Sequence, residues 1–120
     1  MDTKKQKMLC AVKLWAISQG MEEIIDDESY RYWTDIAFKK GDEIIGFITE
    51  FDRSKTELIY KIASAKRENV DFIYVVTNDN GKRRKLLAVI PDYCGILCYS
   101  NPYGLGFLYQ ILKEPKQIAQ

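Results

Sequence analysis

The chain has 120 residues, 47% of them hydrophobic and 29% charged, a balance suited to one compact domain with a single core. It contains no histidine, which excludes Ser-His and Cys-His nucleophilic arrangements and every histidine-containing zinc site, and its net charge of +1 favours no class of partner. No run approaches the roughly eighteen uninterrupted apolar residues of a membrane span, and the Lys-rich opening MDTKKQK leads into a charged amphipathic segment, so a soluble, cytoplasmic protein with no membrane partner is expected.

Residues 4–19 carry Met8, Leu9, Val12, Leu14, Trp15, Ala16 and Ile17 at helical spacing, and Gly20 is a natural stop, which predicts a first helix. The stretch EEIIDDESYRY mixes loop-like acids with Ile24 and Ile25 and is read as a short strand. Two runs rich in β-branched and aromatic residues then flank KKGDE, whose Gly41 predicts a hairpin. On its first arm, alternation puts Trp33, Asp35 and Ala37 on one face and Thr34, Ile36 and Phe38 on the other. The second arm, residues 44–51, is apolar nearly throughout, as a central strand covered on both faces would be, and it closes at Glu50.

Ser54 then supplies an N-cap, and Glu57 completes a capping box for a helix running to about Arg67 with Leu58, Ile59, Ile62 and Ala65 buried. Residues 70–79, VDFIYVVTND, read as a second interior strand ended by NDNG, which implies a parallel strand-helix-strand crossover. A short basic helix over residues 81–90 stops at Pro91. Two more strands, GILCYS and GFLYQILKE, flank the turn NPYG. With no internal repeat or low-complexity linker, the expectation is one α/β domain over residues 1–120, a mixed sheet flanked by helices. The odd set Cys10, Cys94 and Cys98 suggests reduced thiols, and Cys94 and Cys98 alone leave a tetrahedral zinc unfilled.

Chemistry is expected at the hairpin. Asp35 on one arm and Glu50 at the end of the other, with the Phe51 carbonyl and Asp52, would suit a hard cation such as Mg²⁺ or Mn²⁺ that activates water and neutralises a scissile phosphate. Basic residues gather at Lys4, Lys5 and Lys7, at Lys39 and Lys40, and in Lys82, Arg83, Arg84 and Lys85, which can hold phosphate or form ordinary solvated surface. The aromatics Tyr30, Tyr32, Trp33, Tyr99, Tyr103 and Tyr109 can stack on bases where exposed and fill a core or a dimer interface where not.

Taken together, an initial helix, a hairpin with Asp35 on its first arm, ITEFD closing the second, Ser54 opening a helix, FIYVV as the next strand and KLLAVIPDYCGILCYS beyond it resemble the PD-(D/E)XK nuclease superfamily. The resemblance is closest to small Holliday-junction resolvases and to DNA-repair and competence-associated nuclease-like domains. It implies a restriction-endonuclease-like mixed sheet with an α-β-β-β-α-β core and divalent-metal-dependent hydrolysis of DNA, branched DNA included. It also implies Asp35 and Glu50 as metal ligands and, by analogy, a homodimer. Where the family has its lysine this chain has Asp52, a candidate third ligand, and residues 4–19 lack the acid that family members often carry in the first helix. A relocated catalytic cation would be Lys61, Lys55 or Arg53. The alternative is a catalytically inactive module of the same fold that binds nucleic acid or a protein through its basic clusters.

Overall fold

Helix α1, Thr3–Ser18, ends where Gly20 takes a φ of +83° and the Met21 amide donates back to the Ala16 carbonyl at 3.0 Å. This computed structural model describes residues 3–25, 32–51, 53–78, 80–100 and 108–118. Strand β1 is Glu22–Glu23, and Ile24 and Ile25, on which the expected strand rests, follow it. The hairpin follows as β2, Ile36–Lys40, and β3, Glu43–Thr49, paired antiparallel from Ile36 opposite Phe47 to Lys40 opposite Glu43. Gly41 turns the chain between them with a φ of +61°.

The apolar end of β3 leads into α2, Lys55–Arg67, and then β4, Phe72–Thr77, which runs parallel to β3. Ser54 caps α2 by accepting the Glu57 amide at 3.1 Å, but the Glu57 carboxylate turns to Arg53 Nε at 3.6 Å, so only half of the expected capping box is seen. Asn69, at a φ of +63°, takes the left-handed position past the end of α2. A 3₁₀ turn at Asn80–Lys82 and helix α3, Arg83–Leu87, connect β4 to a second parallel neighbour, β5, Gly95–Ser100, and β6, Leu108–Lys113, closes the sheet antiparallel to β5.

The six strands thus lie in sequence order in one mixed sheet, with helices on both faces. Two-sided cover explains the near-continuous apolar runs, since neighbouring residues feed opposite cores. Ile45, Phe47, Tyr74 and Val76 pack with Met8, Val12 and Ala16 of α1, whereas Ile48, Ile73 and Val75 pack with Leu58, Ile62 and Leu86 of α2 and α3. Among the described residues no helix is long and apolar enough to cross a membrane.

Two sequence expectations change, and one lies beyond the described residues. Leu14 and Ile17 of α1 and Ile59 of α2 are exposed, because each helix has a second apolar side that its sheet does not reach, and Ser64 takes the inward place beside Ala65. Trp33 and Thr34 precede β2 in a turn, so the strict alternation expected from Trp33 onward begins only at Ile36. The turn NPYG lies outside the described residues. All three cysteines are free thiols; Cys94 and Cys98 are buried, and burial pushes the Cys94 thiol up to about 12.

One glycine fixes the approach to the hairpin's open end. Any Cβ on Gly46 would clash with the Thr34 side chain and crowd Val70 Cγ1 at 3.4 Å. Gly46→Ala is therefore expected to cost about 1–3 kcal/mol of stability, the range for overpacking a filled core, read as a lower midpoint in urea at unchanged slope.

Candidate functional site

Antiparallel pairing runs out just before Ile36, where the Asp35 amide still donates to the Phe47 carbonyl at 3.0 Å. The Asp35 side chain, only 6% exposed, reaches the end of β3 and accepts hydrogen bonds from the Thr49 amide at 2.7 Å and the Thr49 hydroxyl at 3.1 Å. Arg53, from the loop entering α2, closes on both of its oxygens, Nη1 to Oδ2 at 2.7 Å and Nη2 to Oδ1 at 2.8 Å. That fork matches the planar carboxylate and is the strong form of the ion pair. The same Nη1 lies 2.6 Å from the Thr49 carbonyl and 2.9 Å from its hydroxyl, so Arg53 ties the end of β3 to the start of β2.

Two further cations converge on Asp35 Oδ1: Lys5 of α1 at 3.5 Å and Lys61 of α2 at 3.6 Å. Burial of the Asp35 carboxyl opposes its ionisation. The Arg53 hydrogen bond, the Thr49 amide and the charges of Arg53 and Lys61 outweigh that and hold its pKa well below the usual carboxylate range. Burial in turn pushes the Lys61 ammonium down, and Asp35 only partly restores it.

Glu50 follows a different course. Its amide continues the parallel ladder, donating to the Val76 carbonyl at 3.0 Å, and its Oε1 accepts from the Thr77 hydroxyl at 3.0 Å and Lys82 Nζ at 3.1 Å. This pair sits at the edge of a cleft of about 240 Å³ between the first turn of α2 and α3, at the carboxyl ends of β3 and β4. Arg53, Lys55, Lys82 and Lys85 are the cations in its wall, and Leu58 and Leu86 are apolar neighbours. The run Lys82, Arg83, Arg84 and Lys85 is therefore divided by helical phase: Lys82 and Lys85 line the cleft, while Arg83 and Arg84 are exposed and do not line it.

Asp35 immediately precedes β2 instead of lying within the arm as the sequence predicts, Glu50 follows the end of β3, and the two are held by different partners. Asp52, the expected third ligand, lies outside the described residues. Lys61 does border the buried stripe of α2 and does reach Asp35. The Asp35 cluster fits a divalent cation poorly: the carboxylate is already engaged on both oxygens, and among the described residues three cations, Arg53, Lys5 and Lys61, face two carboxylates, Asp35 and Glu57. A metal would have to displace Arg53 and enter a net positive field. Among the described residues no group of three or more Cys, Asp or Glu side chains is placed to hold a metal ion.

Sequence reasoning placed Lys5 only in a basic cluster and not beside Asp35, overlooked Thr49 and Thr77, and did not pair Lys82 with Glu50. A signal existed for the first three. Lys5 shares the helical phase of buried Met8 and Val12, and Thr49 and Thr77, both fully buried, are the polar residues that end β3 and β4. Of the aromatics, Tyr99 is buried, Tyr32 packs against the core and Trp33 is exposed; Tyr30, Tyr103 and the side chain of Tyr109 lie outside the described residues. No protein-family model, curated protein or solved structure matches the chain.

Proposed function

We propose that this chain is a nucleic-acid-binding module of nuclease-like, α-β-β-β-α-β architecture whose acidic residues hold the fold and the cleft together instead of ligating a catalytic metal. The observation that carries the reading is the closed Asp35 carboxylate, engaged on both oxygens by Arg53 and on Oδ2 by Thr49. A phosphodiesterase built on this strand end needs that carboxylate open to Mg²⁺ or Mn²⁺, whereas a binding module needs only fixed cations facing a groove. Lys55, Lys82 and Lys85 supply them at the carboxyl end of the parallel strands, where open α/β sheets take their ligands.

Calorimetric titration of Mg²⁺ and Mn²⁺, run beside anisotropy and cleavage assays on labelled linear and branched DNA, tests this. The expected result is no metal heat, intact DNA, and binding that weakens steeply as salt rises. Metal heat together with DNA cleavage, both abolished in Glu50→Gln, would instead establish a metal-dependent endodeoxyribonuclease.

A further inference from the structure

Trp33 has a φ of +59°, a left-handed conformation that is a genuine outlier for a bulky residue and persists only where its surroundings impose it. Both following residues are locked: Thr34 is buried against Gly46, and Asp35 is clamped by Arg53. The consequence of the strained turn is that the indole stands outward, 45% exposed. There it meets the ring of Tyr60, itself 56% exposed, edge to face with centroids 6.2 Å apart and planes at 89°. The other exposed large hydrophobic side chains among the described residues, such as Leu14, Ile17 and Leu87, are aliphatic. Among the described residues the exposed rings are thus gathered at one place, and that place adjoins the cationic cluster: Tyr60 precedes Lys61 in α2, and Trp33 lies two residues before Asp35.

We propose that Trp33 and Tyr60 form a stacking platform for an unpaired base, and that the nucleic acid this module binds is single-stranded. The inference rests on the nucleic-acid reading above and narrows its ligand. A ring face open to solvent offers a base stacking energy that a duplex base, already stacked on its neighbours, can use only by leaving the helix. Charge is complementary beside the rings. Lys5 and Lys61 approach Asp35 at 3.5 and 3.6 Å with side chains 35% and 22% exposed, while Lys55, five residues before Tyr60 and so about 140° round α2 from it, faces the separate cleft walled by Lys82 and Lys85. A strand whose base rests on Trp33 therefore meets the ammonium groups of Lys5 and Lys61 first. Orthogonal packing of the two rings leaves one of them able to present a full face, which suits one base and reads no sequence.

The chain has two tryptophans, so a Trp15→Phe background makes Trp33 the sole indole. In that background, oligothymidylate is expected to quench the emission, and a blunt duplex of equal length is not. By anisotropy on the wild-type background, Trp33→Asn, whose side chain tolerates the left-handed turn, and Tyr60→Leu are each expected to weaken oligothymidylate binding about five- to a hundredfold, with the salt slope and duplex affinity unchanged. Unaltered oligothymidylate affinity in both variants, equal losses on duplex and single strand, or binding without quenching would each overturn the platform while leaving the binding module standing. Absence of binding to either nucleic acid would overturn the binding module itself and the platform with it.

Discussion

Replacing Arg53 by methionine is expected to destabilise the protein by about 3–5 kcal/mol, the range for removing one partner of a buried ion pair. The magnitude follows from burial on both sides, since the side chains of Arg53 and Asp35 are 10% and 6% exposed and water cannot compensate the carboxylate left behind. Lys5 and Lys61 remain near Asp35 Oδ1, but at 3.5 and 3.6 Å they do not reproduce the fork or its tie to the Thr49 carbonyl. Asp35→Asn should cost a similar amount because it leaves three cations facing one uncharged amide. The paired change, Asp35→Leu with Arg53→Met, should cost less than the two single losses added, which equilibrium unfolding of all the variants would read. The pH dependence has a definite sign. Asp35 is held below its unfolded value, so its contribution is fully present above about pH 4, the unfolded aspartate range, and is lost as pH falls toward the lower folded value. Acid unfolding should accordingly be shallower in the Asp35→Leu, Arg53→Met protein.

Removing the lysines that wall the cleft is expected to have the largest effect on nucleic-acid affinity. If Lys55, Lys82 and Lys85 each neutralise one phosphate, the triple alanine variant should lower the slope of log affinity against log salt by about 2.7 on duplex DNA or about 2.1 on a single strand. At 0.1 M salt that amounts to a loss of about a hundredfold or more. Lys82 should contribute more than its own contact, because its removal also frees the Glu50 carboxylate it now neutralises at 3.1 Å. The converse change separates the two readings of Glu50 by sign. Glu50→Gln removes a negative charge from the cleft wall and should tighten phosphate binding, whereas loss of an obligatory metal ligand would abolish any cleavage. Salt-dependent anisotropy on the triple variant and on Glu50→Gln measures both.

The elements of this fold were legible because their signals are local. Gly20 and Gly41 sit where the chain must turn, Ser54 caps α2 as a hydroxyl three residues before Glu57 can, and the apolar runs of β3 and β4 announce strands covered on both faces. Glu50 was legible as an acid at a strand end for the same reason, whereas Asp35, expected within the first arm, in fact precedes it. Their partners were not, because a sequence run fixes alternation along a strand but not how the pairing ends. The turn at Trp33 closes the hairpin's pairing at Ile36, and the Asp35 carboxylate thereby meets Thr49 and Arg53, while Glu50 is left to Thr77 and Lys82.

Lys5 and Lys61 reach Asp35 from opposite layers of the sheet, a convergence that exists only after α1 and α2 have docked on their separate faces. By itself the sequence determined which segments become helices and strands, since hydrophobic period and turn chemistry act over a few residues. The tertiary structure alone decided that Asp35 faces cations instead of another acid, because that neighbourhood joins Thr49 and Arg53 across the hairpin to Lys5 and Lys61 from helices on the two faces and depends on strand order, register and layer packing together.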